Sequence, residues 1–306
     1  MSDDRLMAGI ELGGTKAIAL IARGRDIIAQ ARFPTETPAI TLAKLADQLD
    51  AWTAEHGSAE ALGIASFGPV GLDRSRADYG HITSTPKPGW ANTDVVGHFA
   101  RALDVPIRFD TDVAGAALAE HRWGAAQRCA VAIYLTIGTG VGGGLVIDGQ
   151  PVHGAMHPEI GHLWLRRARG DTFAGVCPFH GDCIEGLVSG PALAARFEGP
   201  PARVPDDDPR WAPVASDLAE LSAAILLTTS AQRILIGGGV GLARTKLLDT
   251  VRALLVERIG GYLPFLDSES ARLIVRAPEL GDRAGPLGAI ALAWSALRTG
   301  EGRTGP

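Results

Sequence analysis

Three groups of residues in this chain have the types and spacing that chemistry needs. The first is a pair of glycine-rich runs, Gly13-Gly14-Thr15-Lys16 and Thr136-Ile137-Gly138-Thr139-Gly140-Val141-Gly142-Gly143-Gly144. Glycine lets an anion approach the backbone, where N–H groups can point at its oxygens. Thr15 and Lys16 add a hydroxyl and a cation, and the second run holds five glycines in the seven positions 138–144. The second group is Asp110-Thr111-Asp112, in which Asp112 follows an apolar stretch and precedes a helical one. That position suits a helix cap or a carboxylate placed for catalysis. The third is Cys177-Pro178-Phe179-His180-Gly181-Asp182-Cys183. With one more nitrogen from His153, His157 or His162, it makes a Cys2His2 set of the kind that holds a tetrahedral metal ion.

The elements around these groups narrow their meaning. Residues 9–12 and 17–20 read as strands joined by the first glycine run, and 27–33 as a third strand. Leu42, Leu45, Leu49 and Trp52 fall at helical spacing within a predicted helix over 41–56. Strands are expected at 62–67 and 105–110, with a helix over 113–123. The pattern then restarts: a strand at 130–136, a glycine turn at 138–144 and a returning strand at 145–147. Residues 199–213 read as an irregular loop, 218–229 as a helix and 233–236 as a strand. Gly237-Gly238-Gly239 reads as a third glycine turn before a helix over 247–259. A last helix is expected over 285–297, with 298–306 frayed. Because strands follow both glycine runs, neither is a Walker loop or a dinucleotide-binding loop, which lead into helices. Two strand–turn–strand units more than a hundred residues apart point to a duplicated domain.

Bulk composition sets the limits. The 306 residues carry a formal charge of −5, are 46% hydrophobic and 21% charged, and include 39 glycines. That composition suits a soluble globular protein, and the charge argues against nucleic acid as a partner. No apolar run approaches the ~20 residues of a membrane span. The polar start, Met1-Ser2-Asp3-Asp4-Arg5, does not read as a signal peptide. Three cysteines point to a reducing, cytoplasmic setting, with Cys129 an inert core residue.

Taken together, the motifs resemble the ROK family of actin-like sugar kinases. The matching stretches are 9–16, Phe67-Gly68-Pro69-Val70-Gly71, Thr85-Pro86-Lys87-Pro88-Gly89-Trp90, Asp110-Thr111-Asp112-Val113, 136–144, His157-Pro158-Glu159-Ile160-Gly161-His162, 177–190 and 237–240. Glu11, the Thr-Pro-Lys-Pro-Gly-Trp stretch and the Cys/His cluster are similar to the fructokinase branch. The resemblance implies an α/β, two-lobed actin-like (ribonuclease H-like) duplicated fold with a central ATP/sugar cleft. Its lobes would be 1–118 and 119–306, the last helix packing back on the first. It implies transfer of the γ-phosphate of ATP, with Mg2+, to a hexose, fructose before glucose, mannose or an N-acetylhexosamine. Asp112 would be the general base, and Gly68, Thr111, Asp112, Glu159, His162 and Glu185 the sugar contacts. ATP would meet Gly13, Gly14, Thr15, Lys16, Thr136, Gly138, Thr139, Gly140 and Gly142. Gly238 and Gly239 would form the adenosine-side turn, or only a strand-to-helix connection. His162, Cys177, His180 and Cys183 would hold a structural Zn2+. Ala114 and Gly115 depart from the family, where an Asn and a small residue are usual. A homodimer is implied as well. With only about eight residues before Gly9, a kinase is expected rather than a DNA-binding repressor.

Overall fold

The computed structural model describes residues 4–298. It divides into two units. The first takes the chain through Trp123, then Gln150–Pro158 and the chain from Asp282; the second takes Gly124–Gly149 and Glu159–Gly281. This division differs from a single break at 118/119 in two places. The helix that starts at Asp112 continues unbroken to Trp123. Residues 150–158 return to the first unit, where His157 Nε2 accepts a hydrogen bond from the Val70 N–H at 3.2 Å. Residues 299–306, most of the tail expected to fray, lie outside the described residues.

In the first unit, strands β1 (Leu6–Leu12), β2 (Lys16–Arg23), β3 (Asp26–Pro34), β4 (Leu62–Ser66) and β5 (Ile107–Thr111) form a sheet in the order β3-β2-β1-β4-β5. β1, β2 and β3 are antiparallel, whereas β1, β4 and β5 run parallel. β1 and β4 are nearly continuous apolar runs because both of their faces are covered. On one face lies α1 (Pro38–His56), burying Leu42, Leu45, Leu49 and Trp52 as their spacing predicts. α2 (Val95–Ala102) adds Val95 and Phe99 to the same core. On the other face, α3 (Asp112–Trp123) packs against the C-terminal helix, Ala284–Arg298. That packing is backbone against backbone. A Cβ at Gly63 would lie 1.8 Å from the Ala289 carbonyl oxygen, and one at Gly288 would lie 2.5 Å from the Gly115 carbonyl carbon. Glycine is therefore required at 63 and 288, while a Cβ at Gly115 would meet Ala65 and Gly288 at 3.2 Å, a tight contact.

In the second unit the same plan recurs. Strands β6 (Val131–Ile137), β7 (Val141–Ile147), β8 (Arg233–Gly237) and β9 (Val275–Arg276) lie in the order β7-β6-β8-β9. β6 and β7 form an antiparallel hairpin, and β8 pairs parallel with β6 and β9. Its helices are α4 (Ile184–Val188), α5 (Gly190–Arg196), α6 (Trp211–Thr229), α7 (Gly238–Ala243), α8 (Thr245–Ile259) and α9 (Ser268–Ile274).

Three elements differ from the sequence reading. Gly142, Gly143 and Gly144 lie inside β7, paired with Thr136, Leu135 and Tyr134, so the turn proper is only 138–140. Close packing explains glycine within that strand: a Cβ at Gly143 would sit 2.8 Å from Ile160 Cδ1. α6 starts at Trp211 rather than 218, because Pro213 falls in its first turn, where a missing N–H costs nothing. The third glycine run opens a short helix, α7, rather than a bare turn.

A buried ion network braces the second unit. Arg196 Nη2 lies 2.9 Å from Asp217 and 3.0 Å from Asp171, while Arg167 reaches Asp171 at 2.8 Å and Asp182 at 3.0 Å. Burial raises the Asp217 carboxyl to about 6 despite the opposing pull of Arg196. The fold thus favours the protonated form. The stability it contributes is full below the unfolded value of 3.8 and is lost as pH rises through about 6. Asp217→Asn is expected to flatten the fall in denaturation midpoint between about pH 4 and about pH 6. Equal slopes for the variant and the parent would refute this assignment.

Candidate active site

Strand register brings the first unit's predicted residues together. Leu12 pairs with Ser66, and Ser66 with Thr111, so β1, β4 and β5 end on one rung. The residues that follow are the Gly13 turn, Phe67-Gly68 and Asp112. The C-terminal ends of parallel strands are where α/β sheets bind ligands.

The first glycine turn is clamped from beneath. The Gly13 N–H donates to the Lys16 carbonyl at 2.9 Å, and the Thr35 N–H to the Thr15 carbonyl at 3.0 Å. The Thr35 hydroxyl donates to the Gly13 carbonyl at 2.8 Å. Thr35 is itself held, because Lys87 Nζ donates to its carbonyl at 3.2 Å. Trp90, wholly buried, donates its indole N–H to the neighbouring Glu36 carbonyl at 2.8 Å. The Thr85–Trp90 stretch thus buttresses the turn, leaving Gly14, Thr15 and Lys16 exposed.

Glu11, near the end of β1, is half-buried with its Oε2 inside, and desolvation of the carboxylate raises its pKa against the pull of Lys16 and Arg32. Its Oε2 has no hydrogen-bond partner. A Cβ at Gly285 would fall 2.5 Å from its Oε1, so the start of the C-terminal helix closes directly over the carboxylate.

Asp112 is the first residue of α3, and its Oδ1 accepts from the Val113 N–H at 2.8 Å. The cap comes from Thr111, whose hydroxyl accepts from the Ala114 N–H at 3.1 Å. Asp112 is therefore not needed for capping. Thr111 is buried, so its hydroxyl serves the helix first. Gly68 lies over the buried His157, whose ring atoms would stand 3.4 Å from a Cβ there. Ala114, where the resemblance implied an Asn, is buried, and nothing in the structure explains that departure.

In the second unit the predicted residues converge on the second turn. Gly138 N–H donates to the Gly140 carbonyl at 2.9 Å, with Thr139 exposed at the tip. Glu185 Oε2 accepts from the Val141 N–H at 3.1 Å and would lie 2.7 Å from a Cβ at Gly140. The carboxylate expected to meet a sugar thus also secures the turn. Glu159 precedes, and His162 ends, a single 3-10 turn, Ile160–His162. It packs so closely on β7 that a Cβ at Gly161 would lie 1.8 Å from the Val141 carbonyl oxygen. Thr136 pairs with Gly237, which brings Gly238 beside Ile137; Gly238 has a φ of +76° and no room for a side chain. Gly239 has open space around it.

The four sulfur and nitrogen atoms of His162, Cys177, His180 and Cys183 lie within 4.8 Å of one another. His162 Nδ1 is 3.3 Å from His180 Nδ1, 3.6 Å from Cys183 Sγ and 3.8 Å from Cys177 Sγ. A tetrahedron built on metal–nitrogen bonds of about 2.0–2.1 Å and metal–sulfur bonds of about 2.3 Å has edges of about 3.3–3.8 Å. The three distances from His162 fall in that range, and His180 Nδ1 lies 3.9 Å from Cys177 Sγ. His153 and His157 are engaged elsewhere, with Asp110 and Val70. Burial pushes the Cys183 thiol up to about 11, a direction that a bound dication would reverse. Cys129 is buried and takes no part.

Residues 7–296 match the model of the ROK family. The chain belongs to the ROK family. It is 42% identical over 303 residues to a fructokinase of Zymomonas mobilis, covering 96% of this chain and 98% of the relative. It is 35% identical over 296 residues to a fructokinase of Pediococcus pentosaceus, covering 96% and 99%. The ROK hexokinase structure from Thermus thermophilus superposes with a TM-score of 0.77 at 28% identity, covering 96% of this chain and all of that one. Within this ROK chain, Thr35, Lys87, Asp110, His153 and Gly285 escaped the sequence reading as site residues. Lys87 and Asp110 lay inside matched motifs, and His153 was weighed only as a metal ligand; Thr35 carried no signal, lying 22 residues from the turn it holds.

Thr35→Val removes one hydroxyl bond, worth about 1 kcal/mol. Faster amide hydrogen exchange is expected at Gly13–Lys16, with the global melting temperature nearly unchanged. Unaltered exchange would mean that the turn stands without Thr35.

Proposed function

We propose that the protein is an ATP-dependent fructokinase that phosphorylates the 6-hydroxyl of D-fructose. The observation that carries this reading is the position of Asp112, at the end of β5 in register with the glycine turn after β1, in a chain so similar to named fructokinases. Asp112 accepts the proton of the sugar hydroxyl as its oxygen bonds to the γ-phosphorus and the bond to the β,γ-bridging oxygen breaks. ADP leaves as the displaced group. Gly13, Gly14, Thr15, Lys16, Thr136, Gly138, Thr139, Gly140 and Gly142 supply amides, hydroxyls and a cation for phosphate binding. Gly238 and Gly239 take the adenosine side. Gly68, Thr111, Glu159, His162 and Glu185 orient the hexose.

Glu11 fits a magnesium ion: its buried carboxylate has one oxygen without a partner, which a hard cation would satisfy. Bound Mg2+ would offset charge on the phosphate oxygens. His162, Cys177, His180 and Cys183 fit zinc in a closed, structural site, because all four positions are protein atoms. The family resemblance supports a homodimer, and three free thiols support a cytoplasmic setting. No helix among the described residues is long and apolar enough to cross a membrane.

The test is ADP release across fructose, glucose, mannose and N-acetylhexosamines. Fructose is expected to give the highest kcat/KM; glucose without fructose turnover would move the specificity, and no turnover on any hexose would sink the reading. Asp112→Asn should lower kcat by about 100- to 10,000-fold while ATP and sugar still bind. Unchanged turnover would remove Asp112 as base. Chelation should release about one zinc per chain and lower the melting temperature, as loss of a closed structural site does. A metal-free preparation of equal stability would contradict the zinc assignment.

A further inference from the structure

Two histidines of the 150–158 segment lie beneath the strand ends of the first unit, and one of them reaches toward the base. Asp110, two residues before Asp112, is wholly buried. Its Oδ1 accepts from the Thr111 N–H at 2.8 Å. The ring nitrogen Nε2 of His153 stands 3.2 Å from Oδ1 and 3.0 Å from Oδ2. Oδ2 has no other hydrogen-bond partner. A fully buried carboxylate left without a donor carries a large desolvation cost, so this contact sets the carboxylate's orientation. The orientation passes along the chain. Asp110 holds the Thr111 N–H, the Thr111 hydroxyl caps α3, and α3 begins at Asp112. His157, four residues on, holds the Val70 N–H beneath Gly68 and anchors the segment independently of His153.

We infer that His153 and Asp110 are positioning residues for Asp112: the imidazole, held against the buried carboxylate, sets the end of β5 and the first turn of α3 where the base works. This rests on the reading of Asp112 as the base. The pair touches no reacting atom. A carboxylate that turns away from Thr111 loosens the rung from which α3 starts, and small displacements of a base are costly. A misplacement of about 1 Å can lower turnover by about 100-fold.

The experiment compares His153→Leu, His153→Gln, Asp110→Asn and the double variant Asp110→Asn/His153→Leu by steady-state kinetics, with circular dichroism on each. His153→Leu should lower kcat by about 100-fold with KM for ATP within about twofold of the parent. His153→Gln, whose amide still donates to Asp110, should stay within about fivefold of the parent kcat. The double variant removes the stranded charge and should recover about tenfold over His153→Leu. A His153→Gln enzyme as slow as His153→Leu, or a kcat in His153→Leu equal to the parent's, would overturn the inference. If His153→Leu does not fold, His153→Gln and Asp110→Asn decide: both must keep the parent's KM for ATP, and Asp110→Asn must lose kcat while His153→Gln keeps it. Asp112→Asn run in parallel separates the two ideas, since an active Asp112→Asn enzyme defeats the base assignment whatever the histidine variants do.

Discussion

Parallel pairing in register is the constraint from which the first unit's chemistry follows. β1, β4 and β5 are far apart in sequence, yet hydrogen bonding places Leu12, Ser66 and Thr111 on one rung. A slip of one residue would turn every side chain of a strand to the opposite face and move Asp112 away from the glycine turn. The register is held by burial on both faces, with apolar residues of α1 on one side and the C-terminal helix on the other. That helix approaches so closely that Gly63 and Gly288 have no room for a methyl group. Its first turn also covers Glu11. The helix Ala284–Arg298 therefore sets both the sheet and the carboxylate beside the first glycine turn.

The second unit repeats the hairpin and the parallel strand that follows it, but spends its turn differently. In the first unit the glycine turn is supported by backbone and hydroxyl groups, from Thr35 and the Lys87 contact behind it. In the second, support comes from a carboxylate, Glu185, which follows the last residue of the Cys/His cluster by two positions. The 3-10 turn that carries His162 packs on the strand leaving the same turn. The Cys/His cluster, the expected sugar contacts and the second glycine turn are thus one packed object, and the Arg167–Asp171–Arg196–Asp217 chain extends it to α6. A fault in the cluster is transmitted to the turn through bonds only a few residues long.

Local pattern was enough for much of this. Apolar runs marked the strands, the spacing of Leu42, Leu45, Leu49 and Trp52 marked α1, and the strand that follows each glycine run excluded the helix-leading phosphate loops. Compact Cys-x2-His-x2-Cys spacing marked the cluster, because ligands so close in sequence can reach one ion with little help from the rest of the fold. Both glycine runs and Asp112 were legible for the same reason: each lies at the end of a short apolar stretch. Pattern misjudged the second run because glycine there has two uses. At 138–140 it makes a turn, and at 142–144 it thins a strand so that Ile160 can pack against it.

What tertiary structure alone decided are pairings across long stretches of chain. Nothing near Asp110 announces His153, 43 residues away, and nothing near Gly13 announces Thr35. Which upstream histidine completes the Cys/His cluster was open among three on spacing alone. His153 and His157 are drawn to Asp110 and Val70, and His162 is the histidine that joins Cys177, His180 and Cys183. A sequence determines which groups are present and how near neighbours can arrange themselves. Partners separated by dozens of residues are chosen by strand register and by which buried polar atoms must be satisfied, and those conditions exist only once the sheet has formed.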